Sequence, residues 1–232
     1  MPDPVADLER LEGVPSAVAS ALAAVDVVLR DRGHRRVSHD ESARALLAAA
    51  SASAELTGDV ERWLPGTVRL YAELTDLAGL VRVAPGQVLA RAHVLLARGV
   101  VADDLLGRLR GDPAVADRMA DLASVLTMRT EASGVVLGAV AHAEIAVVSP
   151  FGSGDGVVAR AVEHMVLISA GVDPYGVISS EVGHRADPDR YAEALRQYRD
   201  EGAPGVRAWL QHCASALARG AAAAGTAAAA GS

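Results

Sequence analysis

The sequence predicts an all-α protein, and three observations predict it. Of its 232 residues 51% are hydrophobic but only 3% are aromatic. The apolar content is therefore mostly alanine, valine and leucine, which suit helices packed at close range better than a β-sandwich. Apolar residues recur at helical spacing in one segment after another. Ser38 and the Asp-Pro pairs stand ahead of those segments as caps, and glycines close them.

Taken in order, Val14 to Arg32 carries Val18, Leu22, Val25 and Leu29 on one face and stops at Gly33. His34, Arg35 and Arg36 form a basic turn, and Ser38 with Glu41 reads as a capping box. The next helix, Asp40 to Thr57, is rich in alanine and serine, so one face is small enough to lie against another backbone. Trp63-Leu64-Pro65-Gly66 is expected to break the pattern, which resumes from Thr67 to Leu77. Leu80 to Ala84 reads as a short extended connector, and Pro85 as a first helical residue.

Gln87 to Ala97 holds His93 among Val88, Leu89, Val94 and Leu95, the setting of a hydrogen-bonded packing histidine. Asp112-Pro113 opens a helix carrying Val115, Met119, Leu122, Val125 and Leu126. Gly134 to Val148 is a helix, as are Val157 to Ala170, Tyr191 to Tyr198 behind Asp187-Pro188, and a last one bearing Trp209-Leu210. Residues 1–219 are expected to form a single helical domain, and residues 220–232, of Ala, Gly, Thr and Ser alone, a disordered tail or frayed helical extension.

Bulk properties exclude several functions. The net charge of −7 argues against a general nucleic-acid binder, which needs a basic face. Every one of the 22 basic residues is arginine, so a phosphate-binding lysine and a lysine Schiff base are ruled out. A single Cys213 leaves no intramolecular disulfide and no thiolate cluster, which points to a reducing cytoplasm. Neither an export signal nor a membrane span is expected.

The segment the chain is organised around is Val148 to Arg160, Val-Ser-Pro-Phe-Gly-Ser-Gly-Asp-Gly-Val-Val-Ala-Arg. Phe151, the only phenylalanine, stands beside Gly152, Gly154 and Gly156 at every second position. A loop of this kind opening onto a helix lets its N–H groups converge on an anion. The segment resembles the signature of the Fic (Fido) family, His-Pro-Phe-x-(Asp/Glu)-Gly-Asn-Gly-Arg-x-x-Arg, whose members mostly transfer AMP from ATP to a protein hydroxyl. Pro150, Phe151, Gly154, Gly156 and Arg160 match; Ser149 replaces the histidine, Ser153 the acidic residue, Asp155 the asparagine and Val157 the first arginine.

The resemblance extends over roughly residues 40 to 218 and implies a Fic-like helical domain with the loop between two central helices. In the family the histidine is the base, the acidic residue holds Mg²⁺, the asparagine and loop amides hold the α-phosphate, and the arginines bind the outer phosphates. Phe151, Gly154, Gly156 and Arg160 are the ligand- or phosphate-binding candidates. Ser149 and Asp155 are the catalytic ones. Ser149 has no proton affinity near neutral pH, and losing a general base costs about a hundred- to ten-thousand-fold, so ordinary AMP transfer is not expected. Asp155 is an N-cap, a base or a displaced metal ligand.

Ser51-Ala-Ser-Ala-Glu55 resembles the start of the family's inhibitory motif, which implies a regulatory Glu55 reaching Arg160; a solvated glutamate is the other reading. Arg160 could instead pair locally with Glu163 or His164. His142, ahead of the loop, could orient a loop carbonyl or be a buried histidine with a backbone partner. A zinc set of His142, Glu144 and His164 does not fit the zinc-deaminase pattern, and no metal ligands are assigned.

Two functions follow. One is a Fic-fold protein binding a nucleotide-like or small anionic ligand, or a protein partner, without efficient AMP transfer. The other is an enzyme running altered chemistry through Asp155, Ser149 and Arg160. The resemblance admits ATP or another nucleotide with Mg²⁺ as cofactor, and leaves a homo-oligomer or a structural partner role open.

Overall fold

The computed structural model describes residues 3–32 and 39–230. Twelve α-helices occur among them: α1 (Pro4–Glu9), α2 (Val14–Arg32), α3 (His39–Glu55), α4 (Val60–Ala72), α5 (Leu74–Ala78), α6 (Pro85–Ala97), α7 (Pro113–Thr127), α8 (Gly134–Val148), α9 (Asp155–Ser169), α10 (Ser180–Arg185), α11 (Pro188–Asp200) and α12 (Gly202–Ala230). A 3₁₀ turn spans Asp103–Leu105, and the extended pairing among the described residues is one isolated bridge, Arg98 to Val101. No helix among the described residues is long and apolar enough to cross a membrane. The basic turn His34 to Arg36 and Ser38 of the capping box lie outside the described residues.

The two helices flanking the loop are the centre. From Val135 to Ala143 every residue of α8 is buried, and so is Val157 to Leu167 of α9. A helix buried all round sits at the middle of a bundle rather than on its face. Gly138 lets the two approach, since a Cβ there would stand 3.3 Å from the Glu163 carbonyl oxygen. Their side chains join those of α2, α4 to α7, α11 and α12 in a contiguous core.

The expected caps form. Asp112 accepts from the Ala114 N–H and Asp187 from the Arg190 N–H, each just ahead of a proline at the helix start. Two caps beyond those expected also form, Ser133 on α8 and Ser179 on α10.

Two expectations change. Pro65 does not break its helix: α4 runs through it. Both Pro65 and Glu61, whose carbonyl lacks the N–H a non-proline would donate, are exposed, so water can serve that carbonyl. Leu80 to Ala84 is a pair of turns rather than an extended connector, with Val83 and Ala84 donating back to Leu80 O. Of the two readings of the C-terminal segment, a disordered tail or a helical extension, residues 220–230 take the second and continue α12. Gly220 presses on the Ser179 carbonyl, where a Cβ would come within 2.1 Å, and Ala221 is fully buried. Alanine is the best helix former, and here a neighbouring helix gives its methyl groups something to cover.

Candidate functional site

The loop leaves α8 at Ser149, whose φ of 50° and ψ of 60° are left-handed, and enters α9 through Gly154, with φ of 68°. Only glycine suits position 154, because a Cβ would also lie 2.7 Å from Leu96 and 2.9 Å from the Trp63 ring. Phe151 stacks on His93 with ring centroids 4.2 Å apart and planes 4° from parallel. His93 is buried, which lowers its pKa. Its Nδ1 accepts from the Gly107 N–H, so its proton is on Nε2, 3.3 Å from Ser153 Oγ. Arg110 clamps the end of α8, donating to the carbonyls of Val148 and Ser149 while its own N–H meets Pro150 O. A cation there answers the helix's unpaired carbonyls and dipole.

Asp155 is the first residue of α9 and not its cap, a place held by Gly154. Its carboxylate turns back into the loop, where Oδ1 accepts from the Phe151 N–H at 2.7 Å. Burial pushes the Asp155 carboxyl up to about 6, against the downward pull of the Phe151, Asp155 and Ser153 amides and the Arg110 charge. The amides that would receive an anion thus face a side chain of the protein itself. Ser149 Oγ donates to Ala146 O and is not joined to Asp155 by a described hydrogen bond.

Arg160 is 2% exposed and lies below the loop. Its Nε donates to Ser53 Oγ at 2.9 Å, Nη2 to the Ser53 carbonyl at 2.8 Å and Nη1 to the Tyr191 hydroxyl at 3.0 Å. The Ser53 carbonyl is an orphan of the last turn of α3, passed over by the N–H groups of Leu56, Thr57 and Gly58. Arg160 therefore caps α3 and carries no direct ion pair with Glu163.

From Arg160 a run of buried hydrogen bonds crosses five helices, α8 to α12. Tyr191 meets His142 Nε2 at 2.9 Å, and His142 Nδ1 is 2.6 Å from Glu163 Oε2. The same Oε2 is 3.1 Å from His184 Nε2, and His184 Nδ1 is 3.0 Å from His212 Nε2. Burial lowers the His142 pKa to about 4. For Glu163, burial acts to raise the pKa, and the charge of His184 with hydrogen bonds from His142 and His184 overrides it, leaving it well below the usual range. Neutral His142 then carries its proton on Nδ1, toward the carboxylate, and accepts the Tyr191 O–H at Nε2. Arg160 and Glu163 balance each other's charge through Tyr191 and His142, at a distance.

No family model matches the sequence, and none of the curated proteins does. Among solved structures, a Fic family protein from Desulfovibrio desulfuricans G20 matches over 91% of this chain and 74% of its own, with a TM-score of 0.67 and 17% identity. The fold is Fic-like.

Within that Fic-like fold, several site expectations are corrected. Glu55 points away from Arg160 and forms an exposed ion pair with Arg185 at 3.0 Å. Ser53, two positions earlier on the same helix, takes Arg160 instead, because it lies on the inward face and Glu55 does not. His142 bonds two side chains, neither a loop carbonyl nor a backbone partner. Ser153 brings no carboxylate to the position that holds Mg²⁺ in the family, and the Asp155 carboxylate is engaged with the loop amides, so these residues do not fit that ion.

Where no metal ligands were expected, His142, Glu163 and His184 bring ligand atoms within 4.8 Å of one another. The zinc set of His142, Glu144 and His164 weighed from the sequence does not assemble: Glu144 pairs with Arg118, and His164 with Glu181. A cavity of about 680 Å³ lies between α3, α4, α5 and the turn at Pro174 and Tyr175, with Leu46, Ala50, Val68 and Tyr71 in its walls and no residue of the signature loop.

Glu163, His184, His212 and Ser53 were not singled out as site residues. One signal was available: Glu163 and His164 interrupt the apolar run Val157 to Ile168, and a charged residue in such a run needs a buried partner.

Proposed function

We propose that this is a Fic-fold protein that has left AMP transfer and acts by binding. The observation that carries the reading is the Asp155 carboxylate seated on the Phe151 amide. Ser149 in place of a base and Arg160 committed to Ser53 and Tyr191 support it. Such a loop accepts a nucleotide or small anion only in competition with its own carboxylate. Protonating Asp155, whose pKa is about 6, removes the competing charge. Anion affinity therefore rises as pH falls through about 6.

The test is calorimetric titration of ATP, ADP (with and without Mg²⁺) and inorganic phosphate at about pH 5 and about pH 7.5, with wild type and Asp155→Asn. Expected are binding heats in acid for the wild type and at both pH values for the variant, with no labelled AMP appearing on any protein. Labelling of a protein by the wild type, or nucleotide binding that is strongest at about pH 7.5, would overturn the reading.

A protein partner is the other ligand this reading admits. Exposed Leu47, Val68 and Tyr175 at the rim of the cavity support it.

The enzymatic alternative has one observation in its favour, a buried carboxyl at Asp155 whose pKa is raised to about 6. It predicts a turnover that follows a titration near pH 6 and is abolished in Asp155→Asn.

A further inference from the structure

Away from the loop, three consecutive helices each direct one ligand atom to a common point: His142 Nδ1 from α8, Glu163 Oε2 from α9 and His184 Nε2 from α10. We propose that these three side chains form a site for a divalent transition-metal ion of the zinc class, tying α8, α9 and α10 together. Two imidazoles and one carboxylate are a borderline-soft set that selects zinc or its neighbours over Mg²⁺ and Ca²⁺.

Two of the three edges are already close to what an ion needs, and the third, between the two nitrogens, is at most 4.8 Å. Ligands at about 2.0–2.1 Å around a tetrahedral ion stand about 3.3 Å from each other. The carboxylate oxygen is now 2.6 and 3.1 Å from the two nitrogens, so the shorter edge opens by less than about 1 Å. The rings are already held: the Trp209 indole lies edge-on to His142 at 4.9 Å and parallel to His184 within 3°.

The outer nitrogens are also served. When the inner nitrogen of each histidine gives its lone pair to the ion, its proton moves to the other nitrogen and needs an acceptor. His142 Nε2 faces the Tyr191 hydroxyl, and His184 Nδ1 faces His212 Nε2. Such outer partners fix tautomer and orientation in metal sites. Arg160, one hydrogen bond beyond through Tyr191, opposes the cation, so binding is expected to be weaker than at a thiolate site.

The experiment uses the full chain, treated with chelator and freed of any affinity tag. Zn²⁺ and Co²⁺ are titrated by calorimetry and by visible absorption of the Co²⁺ form. Expected are one equivalent bound, a raised melting temperature, loss of binding in Glu163→Gln, and about 10- to 100-fold weaker binding in Tyr191→Phe. His39→Gln, which alters an exposed histidine, leaves binding unchanged. X-ray absorption of the Zn²⁺-loaded wild type supplies a readout independent of any variant, and should show two imidazoles in the first shell. Absence of binding by the folded protein, binding indifferent to Glu163→Gln or lost in His39→Gln, or a first shell of sulfur or of oxygen alone would overturn the site.

Discussion

Arg160 holds both oxygens of Ser53, a residue 107 positions earlier in the chain. A motif arginine expected to grip phosphate instead closes the end of α3 and fastens that helix to α9. This accounts for its burial without a carboxylate in contact. Arg160→Met is predicted to cost about 3 kcal/mol or more, because the Ser53 carbonyl and the Tyr191 hydroxyl lose a charged donor inside the core. Ser53→Ala removes one acceptor, for about 1.5–3 kcal/mol. Urea melts of the two variants check the order; equal stability of Arg160→Met and wild type would contradict the capping role.

Asp155 sets a pH dependence of definite sign. Its folded pKa is raised to about 6 from an ordinary 3.8, so the folded state holds its proton over the window where the unfolded chain has released it. Its contribution to stability is thus greatest below the lower value and declines as pH rises through about 6. Asp155→Asn is predicted to be more stable than wild type by about 1 kcal/mol at neutral pH, with the gain gone by about pH 4. Denaturant midpoints across that range measure it.

Gly154→Ala meets two penalties at once, a φ of 68° and a Cβ 2.7 Å from Leu96. A loss of about 2–3 kcal/mol is predicted. Because the φ penalty is independent of space, trimming Leu96 in the same chain should not recover the stability.

Glu55→Ala tests the regulatory reading. An exposed pair such as Glu55 with Arg185 is worth about 0–1 kcal/mol, so the melting temperature should hardly move. No AMP transfer should be released, since Arg160 stays with Ser53. Transfer activity appearing in this variant would restore the inhibitory role.

The end of α12 makes a further prediction. A chain ending at residue 219 loses buried Ala221 and the Gly220 contact with Ser179. A cost of about 1–2 kcal/mol is expected, a few degrees in a thermal melt for a chain of this size. A truly disordered tail would leave the melt unchanged.

Much of the fold was legible because it is written locally. Val14 to Arg32, Pro85, Asp112-Pro113 and Gly134 to Val148 each carry their own periodicity or cap, and each element lies where its residues place it. One error arose where packing outweighs local preference, at Pro65. The site was less legible for the same reason. Loop backbone conformation follows from its glycines, but nothing in spacing says that a carboxylate will fold back on Phe151 N. His142, Glu163, His184 and His212 meet only because α8, α9, α10 and α12 pack together. Ser53 rather than Glu55 faces Arg160 by a rotation of two residues about the helix, a difference that a short motif does not encode.

The chain has two tryptophans, and they stand guard over different regions. Trp63 touches the loop at Gly154, while Trp209 sits among His142, His184 and His212. Indole emission responds to the polarity and charge packed against the ring. Replacing either indole by phenylalanine would leave a single-colour reporter, so movement of the loop and events in the histidine cluster can be followed separately, in one protein, without any added dye.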